Sequence, residues 1–238
     1  MEDYAIKLAR TFLENYTLLE AVSVEVTQAP WERLTNGHRH GFTYSTRNGY
    51  RKCFVIVRKD DLLNPSVTSG ITDFRVLKTT KSGYEGFLKD KFTKLPETKE
   101  RILATAIDCS WSYDMKSTEG IRKTGFLRKS AYIDYDEVHE KVIGQIKEQF
   151  FGDTKVGVYS PSVQATLYDM GAAIVTNVPP IKDVKFTLPN IHFIPMTPNG
   201  ADHAFNDDVY IATSEPHGTI KATVSKDANE PVTIRSKL

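Results

Sequence analysis

The sequence predicts a fold of the α+β class, because its strands and helices come in separate runs rather than in strict alternation. Three patterns carry that expectation. A helical apolar stripe opens the chain, β-branched runs of period two follow it, and two further helical stripes stand between later strand runs.

Ala5, Leu8, Ala9, Phe12, Leu13 and Tyr16 recur at helical spacing, so the chain opens on an amphipathic helix. Its start, MEDYAIKLAR, sets acids behind the Met and holds a short apolar pattern, which reads as neither signal peptide nor anchor. Val22, Val24 and Val26 alternate in AVSVEVTQ, and CFVIVRK is a β-branched run after the turn-rich TRNGY; both are expected strands. Asp60 to Pro65, closed by Asn64-Pro65, reads as a linker. A first unit is therefore expected over residues 1–65 and a second over 66–238. The second repeats the pattern at greater length, with strands at Thr72–Thr79 and Arg101–Tyr113. Val138, Val142, Ile146 and Phe150 then give one helix stripe; Val163, Leu167, Met170 and Ile174 give another, entered through a capping sequence, Ser160-Pro161-Ser162. Lys116 to Ser130 is polar and expected as a loop. Val184, Phe186 and Leu188 alternate with Lys185 and Thr187 as a strand, and the period of two carries Asn190 and His192 onto its apolar row.

Composition narrows the function classes. The 31 basic and 30 acidic residues are mixed along the 238 positions, leaving a net charge of +1 and no basic stripe for nucleic acid. No apolar run approaches membrane-spanning length. Cys53 and Cys109 lack paired metal or redox spacing and read as buried small hydrophobes without a disulfide, in a reducing or redox-neutral compartment. Ser236-Lys237-Leu238 matches the peroxisomal C-terminal address, which implies the peroxisome and its import receptor as a partner.

Singly, the polar candidates are open to ordinary readings. A histidine on an apolar row, such as His192, is first a hydrogen-bonded core residue and second a catalyst. His38 and His40 share a strand face but lack a third metal ligand, and His139, His203 and His217 have no useful partner spacing. Gln164 falls in the first turn of a helix, where backbone N–H groups beside Val163 point outward and a carboxamide can face a ligand or simply solvent. Arg101 is a bidentate clamp or an edge charge, and Tyr84, in KSGYEGF, a stacking platform or an aromatic anchor.

Together, Val76–Thr105 (VLKTTKSGYEGFLKDKFTKLPETKERILAT), Tyr159–Gly171 (YSPSVQATLYDMG), Leu188–Phe193 (LPNIHF) and the terminal SKL closely resemble the urate oxidase family in order and spacing. Weaker likeness runs upstream through PWERL and HRHGF, so the resemblance covers nearly the whole chain. It implies tunnelling-fold units, antiparallel sheets with helices on the outer face, assembled as a homotetramer. It further implies oxidation of urate by O₂ to 5-hydroxyisourate and hydrogen peroxide without metal or organic cofactor, O₂ being the co-substrate. By the same resemblance Arg101 and Gln164 grip the urate edge, Val163 supplies a backbone donor, and Tyr84 stands where the family stacks a Phe on the purine. Asn190 corresponds to the amide holding O₂, peroxide or water, and His192 to the histidine of the proton relay.

Two departures accompany the resemblance. Family members begin with a β-hairpin carrying a Lys and a Thr of the relay and a Thr-Asp pair that contacts urate, to which no residue here corresponds; the first unit is expected to be incomplete. Lys94 stands where a Thr is usual. Two other functions remain: a non-catalytic member that binds purine or co-assembles with full-length subunits, and a zinc-dependent tunnelling-fold enzyme acting on pterins or guanine nucleotides, which the isolated cysteines disfavour.

Overall fold

Alternating sequence becomes a curled antiparallel sheet in the computed structural model, which describes residues 1–34, 39–94, 96–114, 133–198 and 206–226. In chain order the elements are α1 (Glu2–Asn15), β1 (Ala21–Thr27), β2 (Trp31–Arg33), β3 (Phe42–Tyr44), β4 (Tyr50–Arg58), β5 (Asp61–Lys78) and β6 (Leu103–Tyr113). There follow α2 (Tyr135–Phe151), α3 (Val163–Asn177), β7 (Ile181–Pro195), β8 (Tyr210–Thr213) and β9 (Thr219–Ser225). The main sheet runs β1-β4-β5-β6-β7-β8, with β9 also on β7; β2 and β3 form a separate hairpin. One edge of β7 pairs with β6, while β9 takes Asp183–Pro189 of the other edge and β8 takes His192–Pro195.

Burial follows the expected periods. Cys53, Val55 and Val57 of β4, Ile107, Cys109 and Trp111 of β6, and Val184, Phe186 and Leu188 of β7 are buried under the helices. Helix α1 packs on β1 and β4; α3 packs on β7 and β9 and against α2. Each later helix starts on a side chain that satisfies first-turn amides: Asp134 accepts from the N–H groups of Asp136 and Glu137, and Ser162 from that of Ala165. All four residues of both expected stripes on α2 and α3 are buried.

Two expectations change. On α1 the buried face is Glu2, Ala5, Ile6, Ala9 and Leu13, whereas Phe12 and Tyr16 lie outside and stack on each other at 5.9 Å. The inward Glu2 carboxylate explains the rotation, because it is held by groups on the sheet. The segment Asp60–Pro65 is not an irregular linker: β5 already begins at Asp61 after a tight turn. Pro65 is accommodated because the pairing with β4 breaks between Ile56 and Arg58, so the missing proline N–H disrupts no ladder bond. The expected loop at Lys116–Ser130, His38, His203 and the Ser236-Lys237-Leu238 tripeptide lie outside the described residues.

A buried polar chain ties α1, the sheet and α2 together. Trp111 Nε1 donates to Tyr113 Oη at 3.0 Å, Tyr113 Oη to Ser69 Oγ at 2.8 Å, and Ser69 Oγ to Glu2 at 2.7 Å. Arg51 then joins Glu2 at 3.0 Å to Asp136 at 2.6 Å. Burial alone would raise the Glu2 carboxyl, but the Ser69 hydrogen bond and the Arg51 charge outweigh it and hold the group below its ordinary range. Asp136 is lowered chiefly by its Arg51 bond. His139, packed 6.1 Å from the Trp111 ring, is pushed down to about 4 by burial and then by the Arg51 charge. Both thiols are buried; burial pushes Cys53 up to about 11 and Cys109 higher still.

These shifts share a sign. Glu2, Asp136 and His139 each titrate lower in the folded chain, so the unfolded chain binds more protons as pH falls and stability declines with it. His139 contributes between its ordinary 6.5 and about 4, and the carboxylates contribute below 4.5. Unfolding in denaturant at stepped pH should show full stability between about pH 6.5 and 8 and, for the His139 part, a loss of roughly 2–3 kcal/mol by pH 4. His139→Phe should flatten the curve between pH 6.5 and 5; an unchanged slope there would assign the loss to other groups.

Candidate active site

Asn190 and His192 sit where β7 leaves the covered core. Leu188 is 1% exposed, whereas the next two residues on its face are half-buried. Asn190 pairs across to Thr105 of β6 and its N–H donates to the Gly218 carbonyl at 3.0 Å; His192 lies opposite Thr213 of β8. Thr105 Oγ1 donates to the Pro189 carbonyl at 2.8 Å, which fixes the strand at this point. A cleft of about 410 Å³ opens here, lined by Arg101, Asn190, His192, Thr213 and Glu215. Thr213 and Glu215 are absent from the expected set, since the stretch TSEPHG carries no periodicity that would point it toward β7.

A small ladder brings the remaining candidates close. Gly83 N–H donates to the Ser160 carbonyl at 2.8 Å, Ser160 N–H to the Lys81 carbonyl at 2.9 Å, and Arg101 N–H to the Ser82 carbonyl at 2.8 Å. Tyr84 exchanges bonds with Thr98 on the other side. Three segments are thereby held side by side: the one bearing Tyr84, the one entering β6 with Arg101, and the one leading into α3. Tyr159 seals the ladder by donating from Oη to Glu85 at 2.6 Å. Gly83 is required beneath it, because a Cβ would stand 2.8 Å from the Thr98 carbonyl oxygen and closer still to Tyr159 Oη.

Within this frame the Arg101 guanidinium lies 5.4 Å from the Tyr84 ring centre. Its Nε is buried with no hydrogen-bond partner, and among the described residues no carboxylate lies within ion-pairing distance of it. Desolvation lowers its pKa from 12.5, the mark of a cation held away from water without a full set of partners. Tyr84 is stacked on Phe87 at 4.3 Å and 18°, reached through Gly86 at φ 71°. Those two rings line an adjoining recess of about 460 Å³ with Lys94, rather than the cleft itself. Phe87 was legible in principle as the aromatic three residues beyond Tyr84 across a glycine.

Val163 and Gln164 occupy the first two positions of α3, directly after its Ser162 cap. The Val163 side chain is buried and the Gln164 side chain exposed, and neither lines the Arg101 cleft. His40 is exposed, and His217 bonds the Ser214 carbonyl and lies 3.4 Å from Glu215. Among the described residues no group of three or more His, Cys, Asp or Glu converges as a metal site, and no helix is long and apolar enough to cross a membrane.

Comparison with known proteins agrees with this architecture. The uricase family model matches residues 67–221. The chain is 39% identical to a uricase-2 isozyme of Canavalia lineata and 38% identical to a uricase of Arabidopsis thaliana, over 95% of its own length and 72% of theirs. The crystal structure of uricase from Arthrobacter globiformis superposes with a TM-score of 0.77 at 26% identity, covering 97% of this chain and 72% of that one. This bears out the α+β tunnelling fold. On the family model and the plant relatives alike, the chain belongs to the uricase family.

Proposed function

We propose that the chain is a urate oxidase, converting urate, O₂ and water to 5-hydroxyisourate and hydrogen peroxide. The observation that carries this reading is Arg101: a desolvated guanidinium with an unpartnered Nε, opening into the same cleft as Asn190 and His192. A flat, acidic purine meets those needs, since its edge accepts from a planar fork and its anionic form compensates the charge. The Tyr84 ring beside Arg101 offers a stacking face from the adjoining recess, and the Val163 amide and Gln164 carboxamide at the α3 N-terminus, outside the cleft lining, offer further donors. Membership of the uricase family points the same way.

In this mechanism urate gives up two electrons and O₂ accepts them with two protons. The protein's share is orientation and proton handling, for which Asn190 holds O₂, peroxide or water over the ring and His192 moves protons. No step needs a metal or organic cofactor. Homotetrameric assembly follows the family resemblance, and residues 1–65 and 66–238 are read as the remainder of a first tunnelling-fold unit and a second one, with strand β5 continuous between them. Ser236-Lys237-Leu238, read as an import address, supports a peroxisomal location. A second reading, a purine-binding member that co-assembles with longer subunits, is favoured by the outer edge of β1, which is unpaired among the described residues.

Purified chain should consume urate at its ultraviolet band only when O₂ is present; urate binding without oxygen-dependent loss would replace the first reading by the second. Arg101→Ala should weaken urate binding roughly tenfold to a hundredfold, the value of a charge-assisted hydrogen-bond pair, whereas Asn190→Ala should lower turnover with a much smaller effect on affinity. Calorimetric titration of both variants checks this, and equal losses of affinity would overturn the assignment of roles.

A further inference from the structure

Lys78, the last residue of β5, is buried at 9% exposure with no carboxylate in ion-pairing distance among the described residues. Its Nζ donates instead to two backbone carbonyls, that of Phe150 at 3.2 Å and that of Val158 at 3.0 Å. The Phe150 carbonyl belongs to the last turn of α2, where helix carbonyls lack intrahelical donors and carry partial negative charge. In that turn Glu148 accepts from the Gly152 N–H and Phe151 from the Val158 N–H, and the turn has no basic residue of its own. Its cation is supplied by β5.

The second acceptor gives this placement its consequence. Val158 immediately precedes Tyr159, which clamps Glu85, and Ser160, which ladders with Lys81 and Gly83 before the chain enters α3. Lys78 itself is four residues from Ser82 on the opposing segment. The connection between α2 and α3 is sharply folded, with Gly152 and Gly157 at φ 72° and 70°, and a Cβ on Gly152 would stand 2.5 Å from the Val158 nitrogen. One ammonium group therefore ties the base of both segments whose far ends carry Tyr84 and the α3 N-terminus.

We infer that Lys78 is a positioning residue for purine binding: by bridging the α2 carboxyl end and Val158 it sets the register of segment 81–85 against segment 158–162. The inference rests on the urate oxidase reading for its substrate, but its geometry stands apart from it. Desolvation also lowers the pKa of Lys78, as expected for an ammonium held by carbonyls rather than by an anion.

The test compares Lys78→Met, which keeps an unbranched stem without a donor, with Lys78→Gln, which keeps a donor. In Lys78→Met, amide hydrogen exchange should accelerate at Gly83 and Ser160 while Val184, in the sheet interior, is unaffected. KM for urate should rise roughly tenfold or more with kcat changed by less than about threefold, and Lys78→Gln should recover part of both effects. Exchange that is unchanged at Gly83 and Ser160, or raised equally throughout, would overturn the inference, as would a loss confined to kcat. Should Lys78→Met fail to fold, Lys78→Gln is held to the same pattern in weaker form. If the parent chain consumes no urate, the functional reading fails while the exchange comparison still decides the role of Lys78.

Discussion

The site depends on one mismatch: β7 is longer than the apolar layer that covers it. Val184, Phe186 and Leu188 spend the covered length on core packing, and the same period of two then delivers Asn190 and His192 to the same face beyond it. The flanking strands change at that boundary as well, from β9 to β8, with Asn190 anchored to Gly218 between them. The polar pair gains a rigid backbone without the desolvation cost of full burial. A one-residue slip of β7 would turn both side chains away and expose Phe186 and Leu188 in the same movement, so core and site enforce a single register.

The second support is electrostatic. Glu2, Arg51 and Asp136 make α1 and α2 lean on the sheet through a charge chain whose Glu2 end is fully buried and whose Asp136 end is exposed. Buried ion pairs add little net stability over apolar packing, but removing one partner leaves the other stranded. Ser69 donates to the remaining Glu2 oxygen and accepts in turn from Tyr113, so the chain is closed apart from Arg51 Nε.

Most of the framework was legible in the sequence because periodicity reports burial directly: β1, β4, β6, β7 and the stripes of α2 and α3 follow from it. The rotation of α1 was not, since the stripe through Phe12 and Tyr16 is a sound helical pattern and only a partner on another element explains why Glu2 faces inward. Asn64-Pro65 misled for a related reason, because a proline inside a strand is harmless wherever pairing lapses, and pairing is a property of two segments. For the site, alternation placed Asn190 and His192, and the resemblance supplied Arg101, Tyr84, Val163 and Gln164. Lys78 bonds two carbonyls brought from elsewhere in the chain and Phe87 stacks on a ring across a turn, which local pattern does not encode.

The depth of the two cysteines bears on the durability of such a catalyst. Hydrogen peroxide attacks thiolates, and the rate follows the deprotonated fraction and access to the sulfur. Cys53 and Cys109 are 1% and 2% exposed, and their burial keeps both protonated at any physiological pH. A chain that releases peroxide beside β6, the strand that also carries Cys109, thus holds its whole complement of thiols in the form that peroxide oxidises most slowly. Self-inactivation by its own product would have to begin elsewhere than at sulfur of this kind.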